Sequence, residues 1–464
     1  MLSAKISNCF MDQTDKKLAT SRSSHGNIIL PGYQLLVEKP PSSPVPEAGI
    51  GLYINKFFPF VLICFYLNNI GLPHGLLYTT VLAPIFYFWL LSEGERLVLS
   101  KFFIVMFPFA LAHLMTVDTL DMYFYCRSFI LLMLVYISVY AAFILFKRVQ
   151  LPRRLFEQII LINFFLVCVA ILIKDSPGSE MLWYSTSITQ GSGIIQRLRM
   201  FSYEAAHYSM LLVPLFVFSL VSYVVAKTGW NVLLLLLTLT PLALSFSMGI
   251  LSALALAIAV VGVCNARSLV RSPPAMFVGV LLIGTLLAIL LTDNLLSMRI
   301  YNVIEGADSS GNVRTWQSLD IGYQLAKSTN LFWGSGFGQA KLLAPDLFEQ
   351  YWPGFNITRI PNVIAATMAE LGLAGVLLRL GLECFLFFYT RVYSSHFRLI
   401  LFLFAFVYQF TGSYPTNLTE YIIWILAFCP LFPEFEKRMI PSGIRRRPRW
   451  LLSLNERVST RTDD

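Results

Sequence analysis

The chain has 464 residues, 56% of them hydrophobic and only 13% charged, with a net charge of +9 and a mean hydropathy of +0.66. Soluble domains carry about a quarter charged residues, so the composition excludes an ordinary soluble enzyme and points to one polytopic membrane domain. Seven scattered cysteines form neither a disulfide framework nor a CxxC pair, and five histidines show no HxxxH spacing, so neither a metal site nor a cofactor is expected.

The first 49 residues are polar, carry Lys5, Lys16, Lys17, Arg22 and Lys39, and end in a proline-rich stretch. They read as a disordered cytoplasmic tail. No cleavable signal peptide is evident, so the first span is expected to act as an uncleaved signal anchor. At roughly 20 residues per crossing, the apolar runs predict about twelve transmembrane helices. Their limits are 51–70, 74–92, 100–118, 125–146, 155–173, 204–226, 230–247, 249–264, 275–292, 362–388, 397–412 and 417–433. The seventh and eighth are nearly continuous, with Ser247, Met248 and Gly249 left to make the turn. The expected fold class is an all-α polytopic membrane protein. It comprises a tail (1–49), a transmembrane domain (50–435) with one large loop (293–361) between spans 9 and 10, and a basic tail (436–464).

Orientation follows from charge. One set of links carries Arg96 and Lys101, then Lys147, Arg148, Arg153 and Arg154, then Lys227, then Arg267 and Arg271, then Arg391 and Arg398. With the two tails, this side holds most of the 35 Lys and Arg residues. The positive-inside rule makes it cytoplasmic, with both termini inside and the large loop outside, where ATP, NAD and free nucleotides are absent. The basic excess is then a topology signal and an attraction for anionic lipid. Arg445-Arg446-Arg447 would suit nucleic acid, but a lipid surface suits it better, and no nucleic-acid partner is expected. Outside cations break the rule and need another purpose: Lys174, Arg197, Arg199, Arg299, Arg314, Lys327, Lys341 and Arg359.

Four stretches carry possible chemistry. The sixth span opens with Arg197, Arg199, Glu204 and His207. Glu204 and His207, three apart, are expected to share a helix face. Ionisable groups at the lip of a span usually face a water-filled cavity, which suggests an anion clamp with a general base. Interfacial snorkelling and an ordinary helix-start glutamate are the plainer alternative. In the large loop, Asn312 reads as an N-cap, followed by an apolar face of Val313, Trp316, Leu319 and Tyr323. Arg314 would then lie in the first turn, where free N–H groups and the helix dipole already favour an anion. Its planar fork suits phosphate; a solvated arginine on a surface helix is the alternative. Trp333-Gly334-Ser335-Gly336-Phe337-Gly338 follows no strand and reads first as a tight turn before a re-entrant segment. Span 10 opens with Pro361 and Asn362 and carries Glu370, Gly372 and Gly375. Glu370 would lie about 12 Å down that helix, facing a cavity or pairing with a neighbouring span.

In order and membrane context, these stretches over roughly residues 190–390 resemble the O-antigen polymerase and ligase superfamily of bacterial envelopes. Arg197, Arg199, Phe201, Glu204 and Ser209 occupy its Arg-rich motif, with Met200 and Ala205 where the family has Gly and Pro. Ser245, Ser247 and Gly249 match a Ser-rich turn; Arg299, Asp308, Ser309 and Arg314 match the outer loop; Gly334, Gly336 and Gly338 match a glycine repeat; Pro361, Asn362, Glu370, Gly372 and Gly375 match the last motif. Ligases of the superfamily have His where this chain has Pro361, which favours a polymerase. The resemblance implies a metal-independent, polyprenyl-diphosphate-dependent glycosyltransferase of the GT-C-like kind in the bacterial inner membrane. Its substrate would be an undecaprenyl-diphosphate-linked glycan, and its protein partners a chain-length regulator and a flippase.

On that reading Arg199, Glu204, His207 and Arg314 are the expected catalytic residues. Arg197, Arg299, Asp308, Gly336, Gly338 and Asn362 are expected to hold diphosphate or glycan. The arginines would stabilise the leaving diphosphate, and Glu204, or else His207, would take the acceptor proton. Trp316, Trp333, Tyr351 and Trp352 would stack on sugars or anchor the interface. A ligase is the neighbouring alternative. A lipid-linked oligosaccharide flippase is the alternative from another class, though the chain shows no repeat halves or paired broken spans.

Overall fold

A computed structural model of the protein describes residues 58–67, 78–118, 120–149, 151–187, 194–264, 309–343, 345–351 and 359–436. The N-terminal tail, the C-terminal tail from residue 437, span 9, Arg299, Asp308 and Trp352 lie outside the described residues.

The described elements are helices plus one hairpin. In order they are α1 (Phe58–Leu62, continued by a π-turn Ile63–Leu67), α2 (Tyr78–Ser92), α3 (Val98–Thr116), α4 (Met122–Arg148) and α5 (Pro152–Leu172). Strands β1 (Trp183–Ser187) and β2 (Ile194–Leu198) follow, then α6 (Ala205–Val225), α7 (Gly229–Ser245) and α8 (Met248–Cys264). The loop supplies α9 (Ser309–Asn312), a π-turn (Val313–Gln317), α10 (Ser318–Thr329), α11 (Ala340–Leu343) and α12 (Pro345–Tyr351). Helices α13 (Val363–Tyr389), α14 (His396–Tyr408) and α15 (Leu418–Phe428) close the fold. Five helices, α3, α4, α5, α6 and α13, are long and apolar enough to cross a membrane, and shorter apolar helices accompany them. The hairpin was not expected from the sequence. The turn between α7 and α8 falls at Phe246, in the left-handed region (φ 44°), and Ser247. Met248 and Gly249 already belong to α8, so the turn lies earlier than expected.

Helix α6 is the most enclosed of the five and α13 the least. Around α6 pack α7, α8, α14 and α15, in a core centred on Phe432. The Phe156, Phe218 and Phe397 rings stand 5.2, 5.1 and 5.0 Å from it. A second core joins α2, α3 and α4, and a third seats α10 on α13.

Two arginines, Arg398 buried and Arg379 half-buried, tie helices together, because carbonyls and charges inside lipid must find partners within the protein. Arg398 donates to the Ala427, Thr390 and Phe428 carbonyls and pairs with Glu436 at 3.3 Å. Arg379 pairs with Glu383 at 3.1 Å, donates to Gln409 Oε1 at 2.9 Å, and pairs with Glu420 on α15. Neither was singled out in the sequence, where Arg398 reads only as a topology charge.

Candidate functional site

The hairpin delivers the Arg-rich stretch to the start of α6. β1 and β2 pair antiparallel, with Trp183 opposite Leu198 and Tyr184 opposite Arg197. Arg197 Nε donates to the Ser245 carbonyl at 3.1 Å, while Ser209 Oγ donates to Ser245 Oγ at 2.7 Å. The arginine stretch and the serine-rich turn therefore meet. Arg199 donates to the Glu180 and Tyr203 carbonyls, each at 3.1 Å, and stands over the Tyr184 ring. Those bonds satisfy loop carbonyls that would otherwise lack partners and fix the chain just ahead of Glu204. Arg199 thus braces the site's backbone.

Glu204 precedes α6 in extended conformation (φ −133°, ψ 155°), and its side chain makes no capping bond. The shared-face expectation is corrected accordingly: Glu204 is the N-cap residue, and only His207 lies within the first turn. Their closeness comes from Glu204's carbonyl, which accepts from the His207 N–H at 3.1 Å. The Glu204 carboxylate faces Arg314 at 3.9 Å, with both side chains about one-third exposed (35% and 38%). This ion pair lies beyond hydrogen-bond distance and is partly exposed. His207 lies within electrostatic reach of both groups. Its ring stacks on Tyr414, with centroids 6.3 Å apart. Tyr414 sits in the link between α14 and α15. Burial, and then the Glu204 carboxylate, push its phenol above the ordinary value, with Arg314 and Arg359 opposing. Tyr414 therefore stays a neutral hydrogen-bond donor.

Arg314 reaches this place differently from expectation. The helix begins at Ser309, and Asn312 is itself helical (φ −61°, ψ −43°) without a side-chain capping bond. Arg314 therefore lies in a π-turn, past any free N–H groups. The wider turn also rotates the following helix. Its buried face is Ile321, Gly322, Leu325 and Ala326, whereas Trp316 and Tyr323 are exposed at 76% and 44%. A one-residue shift turns a helix by about 100°, which is why the expected apolar face of Val313, Trp316, Leu319 and Tyr323 is only half buried. Asn362 anchors the turn. Its Nδ2 donates to the Arg314 carbonyl at 2.9 Å and to Phe410's, and its Oδ1 caps α13 by accepting from Ala365 N–H at 2.9 Å. Asn362 is fully buried, so its amide positions Arg314 and touches no open space.

The glycine run docks into a break in α13 at Gly372 (φ 63°, ψ −163°). Ser335 N–H donates to the Ala369 carbonyl at 2.9 Å and Gly336 N–H to Glu370's at 3.1 Å. In return, Leu373 and Ala374 N–H groups donate to the Leu331 and Phe332 carbonyls. A Cβ at Gly334 would lie 2.5 Å from the Glu370 carbonyl carbon, so only glycine permits this approach. Gly338 N–H reaches the Glu370 carboxylate at 3.2 Å. His113 is consumed here too, holding the Trp333 carbonyl at 2.8 Å and the Tyr125 hydroxyl at 3.0 Å. Trp333 packs edge-on against Phe109, and the Tyr351 phenol is held by Asp320 and lifted by that bond. Of the expected stacking residues, Trp316 is the exposed one among the described residues.

Beside the docked run, α3, α4, α13 and the loop line an open cavity of about 760 Å³ that reaches Tyr414. The structure therefore brings Glu204, His207 and Arg314 together. It places Arg197, Arg199 and Asn362 as braces and Gly336 and Gly338 in the backbone seam. Sequence reasoning missed Tyr414, in an ordinary-looking link, and Arg127, which reads as part of span 4. The usable signal for Arg127 was a cation at the end of an apolar run that the expected topology puts outside, against the charge rule.

Fold and helix composition define a multi-pass membrane protein. No family model matches the chain, and no curated protein matches it.

Proposed function

We propose that this chain is a polysaccharide polymerase of the bacterial inner membrane, with both termini cytoplasmic and the 293–361 loop in the periplasm. It joins oligosaccharide repeat units carried on undecaprenyl diphosphate. One observation carries the reading: Arg314, brought in by the large loop, faces Glu204 at the lip of the most enclosed span, beside His207 and Tyr414.

In the proposed reaction, a hydroxyl of the acceptor repeat attacks the anomeric carbon of the donor glycan. The new C–O bond forms as the bond from that carbon to the diphosphate oxygen breaks, and the electron pair leaves with undecaprenyl diphosphate. Glu204 takes the hydroxyl proton. Arg314 leaves its loose contact with Glu204 and pairs with the departing diphosphate, where a fixed guanidinium stabilises the charge that develops. Tyr414 and His207 orient the two groups. Arg197, Arg199 and Asn362 hold the backbone that presents them. All the energy is already in the glycosyl phosphate bond, which suits a compartment without nucleotides.

The test is the glycan ladder of cells lacking the chain, complemented with wild type, Arg314→Ala or Arg314→Lys, with membrane insertion measured in parallel. Core plus a single repeat in the null strain, and a ladder restored by wild type alone, is the expected result. Bare core with long polymer left on the lipid carrier would instead define a ligase, and repeats trapped on the cytoplasmic leaflet a transporter.

A further inference from the structure

Inside the helical bundle, one arginine meets two carboxylates. Arg379 and Glu383 lie one turn apart on α13, and Glu420 lies in the first turn of α15. Gln409, directly after α14, bridges them. Its Oε1 accepts from Arg379 Nε at 2.9 Å, and its Nε2 donates to Glu383 Oε2 at 2.8 Å. Both Glu383 oxygens are thereby matched, since Oε1 pairs with Arg379 at 3.1 Å. Glu420 is matched on one side only. Its Oε1 takes the Arg379 guanidinium and, at 3.4 Å, Trp424 Nε1, whereas its buried Oε2 has no hydrogen-bond partner. The Glu420 side chain is 2% exposed, so bulk water does not supply the missing donor.

The pair's own bonds thus go to Arg379, Gln409 and Trp424. Also within electrostatic reach are two phenols, Tyr421 on α15 and Tyr408 on α14. Tyr421 donates its proton to the Pro415 carbonyl at 2.8 Å. Of the neighbouring helices, α4 brings Arg127 to the cavity that Arg379 lines, and α6 brings His207, which stacks on Tyr414. Two ionised carboxylates on one guanidinium would leave a negative charge and a bare oxygen where charges must be matched within the protein. Carboxyl groups that share a site do not ionise together readily, and the proton they retain belongs to the pair. Arg379 and Tyr421 line the open cavity beside the docked run, which gives the cluster a route to water.

We infer that Glu383 and Glu420 bind one proton between them at neutral pH, held against Arg379 and exchanged with water through the open cavity. The proton comes from cavity water and returns to it as pH rises. A single orphan oxygen suits a proton, whereas hard metal ions gather about six oxygens or more. Among the described residues, no three His, Cys, Asp or Glu side chains come together to hold a metal ion. The site goes beyond the polymerase reading and does not rest on it. It is separate from Glu204, yet it adjoins the same framework: Asn362, which anchors Arg314, also holds the carbonyl of Phe410, the residue after Gln409.

The test is infrared spectroscopy of the purified full chain at neutral pH, comparing wild type with Glu420→Gln and Glu383→Gln. A protonated carboxyl group has a carbonyl band, shifted in heavy water, that an ionised carboxylate lacks. Wild type should show one protonated acid per chain more than either variant, because removing either carboxylate leaves the other alone with Arg379 and ionised. Glutamine keeps the side chain's shape without its charge, and two variants guard against one failing to fold. Glu370, the other carboxyl group on α13, is present in all three samples and cancels in the difference. An acid band that survives intact in either variant would overturn the shared proton. The second measurement is thermal stability in sodium chloride against potassium chloride at equal ionic strength, where no difference is expected. A stabilisation by sodium that disappears in Glu420→Gln would assign the site to a metal ion and overturn the proposal.

Discussion

Replacing Gly372 by Ala should undo the seam that carries the glycine run. Gly372 has φ 63° and ψ −163°, a region essentially closed to other residues, and forcing it costs about 1–3 kcal/mol. The new Cβ would also sit 2.4 Å from the Phe332 carbonyl oxygen and 2.6 Å from Gly334 N. Separating these backbones breaks the paired bonds Ser335→Ala369, Gly336→Glu370, Leu373→Leu331 and Ala374→Phe332. At about 1 kcal/mol each, those bonds add up to roughly 4 kcal/mol if all four are lost. The expected total is therefore about 3–7 kcal/mol against docking, depending on how far the seam opens. The readout is thiol labelling of a cysteine at fully buried Ser335, in a version without the native cysteines. Gly372→Ala should convert slow labelling into fast labelling and remove the glycan ladder. Gly381→Ala is the matched control in the same helix, because nothing lies within 4 Å of its Cβ position, and it should be neutral or stabilising by up to about 1 kcal/mol. Equal labelling rates in the two variants would refute the reasoning.

Arg379→Leu leaves Glu383 (9% exposed) and Glu420 (2% exposed) without their cation. A loss of about 3–5 kcal/mol is expected, read by unfolding in detergent, with partial recovery on adding Glu420→Gln. Asn362→Asp keeps the cap acceptor and loses both donors that anchor the Arg314 and Phe410 carbonyls. Polymer synthesis should fall at least about tenfold, the scale of a lost positioning bond near charge, and unchanged synthesis would remove the anchor from the argument. Glu204→Gln should lower synthesis by about 10²–10⁴-fold as for a lost general base, measured with isolated lipid-linked repeats. A cysteine replacing exposed Trp316 should react with an impermeant thiol reagent in intact cells, whereas one replacing exposed Leu151 should not. The reverse pattern would invert the proposed topology.

The sequence by itself determined that the protein is a helical membrane protein and where most helices run. Twenty-residue apolar runs have few alternatives when every backbone group must be satisfied within lipid. Glu204 and His207 stood out in the sequence as ionisable groups at the lip of a span and Arg314 as an arginine of the large loop; that the three lie near one another is seen only in the structure. Tertiary structure decided the rest. Position 312 has an N-cap residue type, yet the helix starts at Ser309 and a π-turn resets which face is buried. Local propensity cannot reveal that, because the choice is settled by Asn362 and by the close contact of Gly322 with the Ala365 backbone. Gly372 stood out in the sequence only as part of a motif, with no backbone role attached. Its unusual backbone has meaning only once the loop 38 residues earlier, at Gly334, lies against it. Arg127, Lys341 and Arg359 are likewise remote in the chain, and packing α4 beside the docked loop and α13 brings them to the lining of one cavity. Periodicity and charge bias are properties of neighbouring residues; which distant groups share a cavity is fixed only by how the helices pack.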